Sequence, residues 1–398
     1  MSSEVVTTMT GNAADLPWHE QSERNFIGGA WRFTREGYSF DIYDPADSTV
    51  IAAVPLSTHR DIDAAMTAAR AALGLWASLG AARRVEIVDS ALASVADRFN
   101  RIAAIVSRDT GLPVRAARDD MRRAICETRT QLAGGAEPAD GEAPGVIGQI
   151  LSWSSPLILC IRTLAVDLAA GDTAVVRPSI RAPISLVFLA DALGRAGAPD
   201  GVFNLVQGSG TDAGMALARQ PDLKRLDFQG SRETAAMVAL SPERNDIFMQ
   251  RHLRTVALRC VDEDDDLEDA ARDIVGTAFC HAARAGHGGL TVDIAASRLN
   301  EFSEAVAALF ASGRYFEESC GSHTIAPFIA EKFRDAYERS IESHAAAGAK
   351  TMCVAPELEP KIYRMGWFAR PCMLHDPARR ISLDPDHPNG PLILVRSE

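Results

Sequence analysis

Few side chains in this 398-residue chain have the type and spacing that covalent catalysis requires. Seven cysteines are scattered along it without a CxxC pair, so the sequence predicts neither a zinc site nor a disulfide framework. Cys280 is followed directly by His281, and these are the residue types of a thiolate and its base. Adjacent residues do not face each other on a helix, so the two are not a ready dyad. Cys280 is therefore either a reactive thiol or a buried small hydrophobe.

Three other features could bind charged ligands. The acidic run 262–266 could suggest a metal site, but carboxylates before a helix are also favoured by the helix dipole, and we predict no metal. Gly208 lies in a turn between a strand and a helix, as does Gly230, which precedes Ser231. Backbone N–H groups at a helix start can hold a phosphate. Glycine at such a turn can equally serve packing alone.

These glycine turns belong to a regular alternation of apolar segments between Gly145 and Ser231. Short apolar runs indicate four strands, and the helices between them are expected to end at Gly171, at Gly197 and near Arg219. Strands that alternate with helices predict an α/β fold with a doubly wound parallel sheet. In such sheets ligands bind at the carboxyl ends of the strands. The predicted helices span residues 157–170, 184–196 and 212–219.

Upstream of this unit, apolar residues repeat at helical spacing in two stretches. The first covers residues 62–76, and the second, longer one covers residues 85–106 and is expected to end at Gly111. We interpret both as helices that form core. Residues 1–24 are polar and are predicted to be disordered.

Composition excludes several classes of function. With 47% apolar and 24% charged residues, the chain is typical of a globular protein large enough for two or three domains. A net charge of -12 argues against nucleic acid or an anionic membrane as a partner, because phosphate binding requires a basic surface. No apolar run is long enough to span a bilayer, and the first residues do not resemble a signal peptide. We therefore expect a cytoplasmic protein.

Four sequence motifs, in order, resemble the aldehyde dehydrogenase superfamily. The family's Gly-Val-x-Gly-x-Ile-x-Pro-Trp-Asn, Leu-Ala-Ala-Gly-Asn-Thr-Val-Val-x-Lys-Pro, Ala-Gly-x-Pro-x-Gly-Val-x-Asn-x-Val-x-Gly and Phe-Thr-Gly-Ser elements correspond to residues 145–154, 168–178, 196–208 and 228–231. The resemblance extends from about Asn25 to about Leu392. It implies a dinucleotide-binding domain over residues 25–254 and a catalytic-type α/β domain over residues 255–398.

The resemblance also implies a cofactor site. Arg177 replaces the family lysine that binds the adenine ribose, and Ile180 replaces the nearby glutamate. Losing that carboxylate removes an acceptor for the ribose 2′-hydroxyl of NAD, and arginine suits a phosphate, so NADP is expected over NAD. Weak or absent binding is the alternative, since the glycines could serve packing only. The implied cofactor-binding residues are Trp153, Arg177, Ser179, Gly208, Phe228, Gly230 and Ser231.

The positions that resemble the family's catalytic residues carry different chemistry. Gly286 occupies the nucleophile position, Arg259 that of the base, and Ser154 that of the oxyanion-binding asparagine. His387 replaces a later glutamate that positions the nicotinamide ribose. These replacements predict a catalytically degenerate family member that binds an aldehyde-like small molecule or a protein partner. The alternative is an active NAD(P)-dependent oxidoreductase with a non-standard site, for which Cys280 would be the fallback nucleophile.

Two departures from the family concern assembly. Residues 133–144 form a Gly/Pro/Ala-rich loop in place of the family's long interface hairpin, and the sequence ends shortly after 387–391, which resembles the family's Glu-x-Phe-Gly-Pro element. On this reading the interface arm is reduced or missing, and we expect no family-type tetramer.

Overall fold

A computed structural model of the chain describes residues 21–135, 143–240, 247–253, 255–283, 289–312, 326–357 and 365–397; for residues 279–283 and for 312 it describes the backbone alone. The predicted disorder of residues 1–24 falls largely outside these ranges. It does not extend to residues 21–24, because the buried side-chain amide of Gln207 donates hydrogen bonds to the carbonyl oxygens of Ser22 and Arg24.

The chain begins with two short hairpins and four helices. The strands are β1 (Asn25–Ile27), β2 (Ala30–Arg32), β3 (Ser39–Tyr43) and β4 (Val50–Pro55), and the helices are α1 (His59–Ser78), α2 (Ala81–Ala96), α3 (Phe99–Thr110) and α4 (Val114–Ala133). The prediction of one helical stretch over residues 85–106 was wrong, because α2 and α3 are separate helices that break at Asp97 and Arg98. Gly111 ends α3 in the left-handed conformation, as predicted.

The predicted alternation follows after the loop. Its elements are β5 (Val146–Ile150), α5 (Pro156–Ala170), β6 (Thr173–Arg177), α6 (Ser185–Arg195), β7 (Phe203–Leu205), a π-helical turn (Gly210–Gly214), α7 (Met215–Ala218), β8 (Leu223–Gly230), α8 (Arg232–Ala239) and β9 (Phe248–Leu253). The helix predicted over residues 212–219 is thus corrected to a π-helical turn followed by a short α-helix. The π-helical turn begins where the Ser209 hydroxyl accepts a hydrogen bond from the Asp212 N–H.

These strands form a seven-stranded sheet in the order β2-β1-β7-β6-β5-β8-β9. The five strands from β7 to β9 are parallel, and β1 and β2 continue the sheet in antiparallel pairing. The chain moves outwards from β5 to β7 and then returns to the other side of β5 for β8. This reversal confirms the doubly wound sheet and places its switch point beside β5.

Both faces of the sheet are buried at its central strands β5, β6 and β7. On β6, Ala174 and Val176 belong to the apolar core beneath α5 and α6, whereas Val175 belongs to the core beneath α1. The alternation follows from the two-residue period of a strand. A strand buried on both faces can expose functional side chains only at its ends.

The remaining elements form a second sheet. They are β10 (Ala257–Val261), α9 (Leu267–Ala283), β11 (Leu290–Ile294), a 3-10 turn (Ala296–Arg298), α10 (Leu299–Ser312), α11 (Glu331–Ala346), β12 (Lys350–Val354), β13 (Cys372–His375) and β14 (Leu392–Ser397). The strand order is β10-β11-β14-β13-β12, and only β12 pairs in the antiparallel direction. The change of sheet between β9 and β10 falls near the predicted boundary at residue 254, which itself stays a prediction.

None of the helices in the described ranges is long and apolar enough to cross a membrane. The loop predicted at residues 133–144 lies partly outside the described residues, which do not include 136–142. The expected reduction of the interface arm therefore stays a prediction.

A carboxyl group from α3 caps α6. Asp109 is fully buried, and its Oδ2 accepts a hydrogen bond of 3.0 Å from the Ile184 N–H. Burial raises the pKa of Asp109 well above its usual value, although the N–H groups of Ile184 and Ser185 partly offset the effect. The group thus favours its neutral form in the folded protein.

This raised pKa makes the stability depend on pH in a defined direction. The stabilisation is fully present below the unfolded pKa of about 4 and is lost as the pH rises through the higher folded value. We expect Asp109→Asn, which keeps an oxygen acceptor but cannot ionise, to lose less of its free energy of unfolding than the wild type between about pH 4 and pH 8. Urea denaturation across this range measures the difference. The control Asp119→Asn, on the exposed side of α4, should follow the wild type; identical slopes for all three proteins would contradict the prediction.

Candidate functional site

The carboxyl ends of β5, β6 and β8 meet at one edge of the larger sheet. Ile150 of β5 lies opposite Arg177 of β6 and opposite Phe228 of β8, because the three strands are parallel neighbours. The residues predicted for cofactor binding lie at the ends of these strands, in the turns that follow them and in the turn after β7. We call this edge of the sheet, with those turns, the carboxyl edge.

Arg177 ends β6 as a buried cation. It is 6% exposed, and its Nε and Nη2 both donate to the carbonyl oxygen of Gly208, at 3.2 and 2.7 Å. Burial lowers the pKa of Arg177 to about 10. Among the residues that the structure describes, no carboxylate pairs with it. A single carbonyl dipole offsets little of the free energy that desolvating a full charge requires, so the described part of the chain leaves this positive charge without a compensating carboxylate.

A second arginine lies four residues further on. The Ser179 hydroxyl accepts a hydrogen bond from the Arg181 N–H at 3.3 Å, which turns the chain away from β6. The Arg181 guanidinium lies 5.7 Å from the ring centroid of Phe333, and burial lowers the pKa of Arg181. Ile180, at the position expected for a carboxylate, packs against the apolar core. Two desolvated guanidinium groups thus flank a turn whose central side chain is apolar.

Gly208 has a packing role in addition to accepting from Arg177. A Cβ atom there would lie 2.8 Å from the Cβ of Ala213 and 3.1 Å from the carbonyl oxygen of Ser57. No side chain fits at that distance. The same restriction holds at Gly230, where a Cβ atom would lie 2.7 Å from the Phe228 ring. Both glycines are therefore required by the fold.

Ser231 is the N-cap of α8. Its hydroxyl accepts a hydrogen bond of 3.1 Å from the Thr234 N–H, and Glu233 lies in the first turn. The N–H of Arg232, also at this helix start, is bound by the carboxylate of Asp386, with Oδ1 at 3.2 Å and Oδ2 at 3.1 Å. The helix start that could hold a phosphate thus binds a carboxylate from the protein itself.

The two aromatic residues among the implied cofactor-binding residues are packed in apolar clusters. Trp153 is 5% exposed and stacks on Phe333, with ring centroids 5.7 Å apart. Phe228 is 2% exposed and lies in the core between the sheet and α1. Either can limit the shape of the carboxyl edge from below, but neither presents an open ring face to a ligand.

The residues at the predicted catalytic positions are dispersed. The Ser154 hydroxyl shares a hydrogen bond of 2.9 Å with that of Ser152, after β5. Arg259 lies on the exposed side of β10, where its Nε is 3.7 Å from a carboxylate oxygen of Asp273. Gly286 lies outside the described residues. Of Cys280 the structure shows only that its backbone belongs to α9.

Of the described thiols, those of Cys160 and Cys372 are buried, that of Cys353 is partly buried and the other two are exposed. Burial raises the pKa of Cys160, of Cys353 to about 11 and of Cys372 to about 12. Cys126 and Cys260 are exposed, on α4 and β10. A catalytic cysteine requires a lowered pKa near a cationic or helix-start environment, and none of the shifts at the buried thiols is in that direction. Nor do three His, Cys, Asp or Glu side chains converge as metal ligands in the described part of the chain.

The sequence and the whole fold match known proteins. The model of the aldehyde dehydrogenase family matches residues 31–397. This chain belongs to the aldehyde dehydrogenase family. Solved structures of aldehyde dehydrogenases have the same fold as this chain. A cysteine-to-alanine mutant of aldehyde dehydrogenase C from Pseudomonas syringae, solved with NAD+ and octanal, is similar with a TM-score of 0.84 at 24% identity, over 95% of this chain and 80% of that one.

Two further family structures show the same relation. A mutant aldehyde dehydrogenase from Bacillus cereus has a TM-score of 0.82 at 24% identity, over 96% of this chain and 80% of that one. Betaine aldehyde dehydrogenase from Staphylococcus aureus, solved with NAD+, has a TM-score of 0.83 at 22% identity, over 95% and 78%. At these identities the likeness establishes the aldehyde dehydrogenase fold.

Sequence reasoning missed three residues of this aldehyde dehydrogenase-like edge. Arg181 and Phe333 were not singled out, and Asp386 lies 154 residues after Arg232, the helix residue that it contacts. The two prolines and the glycine between residues 384 and 391 indicate a turn, but a turn signal does not say which distant group the turn reaches. Of these three residues only Arg181 could have been found from local sequence, because it is a second cation close to Arg177.

The burial of the thiols predicts their reactivity. With limiting iodoacetamide at about pH 8, we expect alkylation of Cys126 and Cys260 in the native protein, because the thiolate is the reacting form and these two are accessible. Cys160 should be alkylated only after denaturation. Peptide mass spectrometry of native and urea-treated samples measures both. Alkylation of native Cys160 at the rate of Cys126 would contradict the assignment.

Proposed function

We propose that this aldehyde dehydrogenase family protein binds a phosphorylated nucleotide of the NADP type at the carboxyl edge, and that it has lost Cys-dependent aldehyde oxidation. The observation that carries the binding proposal is Arg177, a buried cation without a carboxylate partner in the described chain. The fit of such a ligand rests on this residue and on Arg181. When bound, the nicotinamide of such a cofactor would supply hydride chemistry.

A phosphate would neutralise the positive charge of this edge better than the Gly208 carbonyl that now contacts Arg177. Phosphate oxygens accept charge-assisted hydrogen bonds from guanidinium groups, which are about twice as strong as bonds between neutral groups. The Arg177 pKa, lowered by burial, would return towards its usual value on binding an anion. Ile180 offers no acceptor for the 2′-hydroxyl of an unphosphorylated ribose. These points favour NADP over NAD.

The loss of oxidation is supported by residue chemistry. A guanidinium stays protonated at neutral pH and cannot remove a proton from water, and Arg259 occupies the position where the sequence resemblance implies the base. That side chain is exposed and lies beside Asp273. Gly286, at the implied nucleophile position, has no side chain that could attack a carbonyl carbon. The remaining role is binding, either of an aldehyde-like small molecule or of a protein partner, without the family-type tetramer.

The nucleotide preference has a direct test. We expect isothermal titration to give tighter binding of NADP+ than of NAD+, and Arg177→Met to weaken NADP+ binding about ten-fold or more, since a hydrogen bond to a charged group contributes about 1.5–3 kcal/mol. Binding of NAD+ should change less. The control Arg195→Met removes an exposed arginine of α6 that pairs with Asp191. Tighter binding of NAD+ than of NADP+ by the wild type would refute the proposal.

The catalytic part has a separate test. We expect no NAD(P)H absorbance change above background with a panel of simple aldehydes, and no hydrolysis of an activated ester, because the implied nucleophile and base positions lack the chemistry. Turnover by the wild type that Cys280→Ala abolishes would show an active enzyme with a non-standard nucleophile. The control Cys126→Ala, on exposed α4, should leave any observed rate unchanged.

A further inference from the structure

One carboxylate lies where an anionic ligand would be expected. Both oxygens of Asp386 accept from the N–H of Arg232, and its Oδ2 also accepts from Arg232 Nε at 3.1 Å. Arg232 Nη2 donates to Asp384 at 2.8 Å. The start of α8 is therefore bound through its backbone and its first side chain at the same time. The helix dipole favours an anion at this point, so the contact is electrostatically matched.

The turn that presents Asp386 is held in shape from its base. The carbonyl oxygen of Asp384 accepts from the Asn389 side chain at 2.8 Å and from the His387 N–H at 3.0 Å, and the Asp384 carboxylate accepts from the Asp386 N–H at 3.0 Å. Asn389 is buried, and Gly390 has a positive φ of 50° with no room for a Cβ atom beside Phe328. The Asp386 side chain thus projects from a turn anchored in the second sheet.

We propose that Asp386 is an internal competitor for the pyrophosphate of a dinucleotide at the start of α8. The inference rests on the proposed function, since it concerns regulation of the same carboxyl edge. A ligand's pyrophosphate can reach the Arg232 N–H only after the carboxylate leaves it. A mononucleotide with one phosphate for Arg177, and none for α8, would bind without displacing Asp386. Asp386 therefore weakens binding of the dinucleotide and leaves binding of adenosine 2′-phosphate unchanged.

The size of the competition follows from exposure. The Asp386 side chain is 19% exposed and the Arg232 side chain 53%, so the contact is partly screened by water. Exposed ion pairs contribute little, at most about a five-fold change in an affinity. Asp386→Ala should therefore tighten NADP+ binding by up to about five-fold. Adenosine 2′-phosphate should bind the variant and the wild type equally.

A matched control removes the same charge at the opposite end of β8. Asp222 precedes β8 at its amino end and pairs with Arg70 on the surface. Asp222→Ala therefore changes the net charge as Asp386→Ala does, but leaves the start of α8 intact. A second variant, Asp386→Asn, keeps the shape of the side chain and removes its charge, and a thermal melt of each protein establishes that it is folded.

The test is isothermal titration of the wild type and the three variants with NADP+ and with adenosine 2′-phosphate, at constant ionic strength. We expect Asp386→Ala to bind NADP+ more tightly than the wild type does, and to bind adenosine 2′-phosphate equally. Asp386→Asn should show a smaller gain in NADP+ affinity, and Asp222→Ala should show none. Equal NADP+ affinity with and without Asp386, while adenosine 2′-phosphate binds, overturns this inference and leaves the proposed function standing. Failure of both probes to bind every folded variant overturns the proposed function, and the inference with it.

Discussion

Burial of a parallel sheet on both faces is the constraint on which this structure depends. Alternate residues of β6 pack beneath α1 on one side and beneath α5 and α6 on the other. Apolar side chains fill both layers, so the strand interior has no room for solvated charge. A charged side chain of β6 can therefore reach water or a ligand only where the strand ends. Arg177 lies at the carboxyl end of β6, where its buried guanidinium contacts the carbonyl oxygen of Gly208.

The carboxyl edge brings together charges from distant parts of the chain. Arg177 and Arg181 come from the turn after β6 and have desolvated guanidinium groups. Asp386 comes from the turn before β14 and reaches the start of α8. The Asp386 carboxylate does not pair with either of these arginines, since its described contacts are with Arg232. Within the described ranges the edge therefore has a positive region that no carboxylate contacts, and a helix start that a carboxylate already binds.

Family membership and residue chemistry give complementary information. The family model and the structural neighbours establish the aldehyde dehydrogenase fold over nearly the whole chain. A fold does not fix an activity, because activity resides in specific side chains. The described part of this chain has buried thiols with raised pKa values and a guanidinium, Arg259, at the implied base position. The proposed binding role reconciles the shared fold with these side chains.

The sequence alone determined the alternating strands and helices between Gly145 and Ser231, because apolar periodicity and glycine stops are local signals. It also determined which residue types lie at the strand ends, Arg177 among them. It did not separate α2 from α3, since the apolar repeat continues in phase across Asp97 and Arg98. Nor did it predict the π-helical turn.

Tertiary structure alone decided which charged groups at these strand ends have a partner. That Arg177 has no carboxylate partner among the described residues, and that Asp386 binds the start of α8, depends on contacts between residues far apart in sequence. Periodicity and turn signals report the preferences of neighbouring residues, and they contain no information about such distances. Desolvation likewise depends on everything packed around a group. The sequence therefore indicated the edge at which we propose that a ligand binds, and only the tertiary structure decided that the Asp386 carboxylate lies at the start of α8.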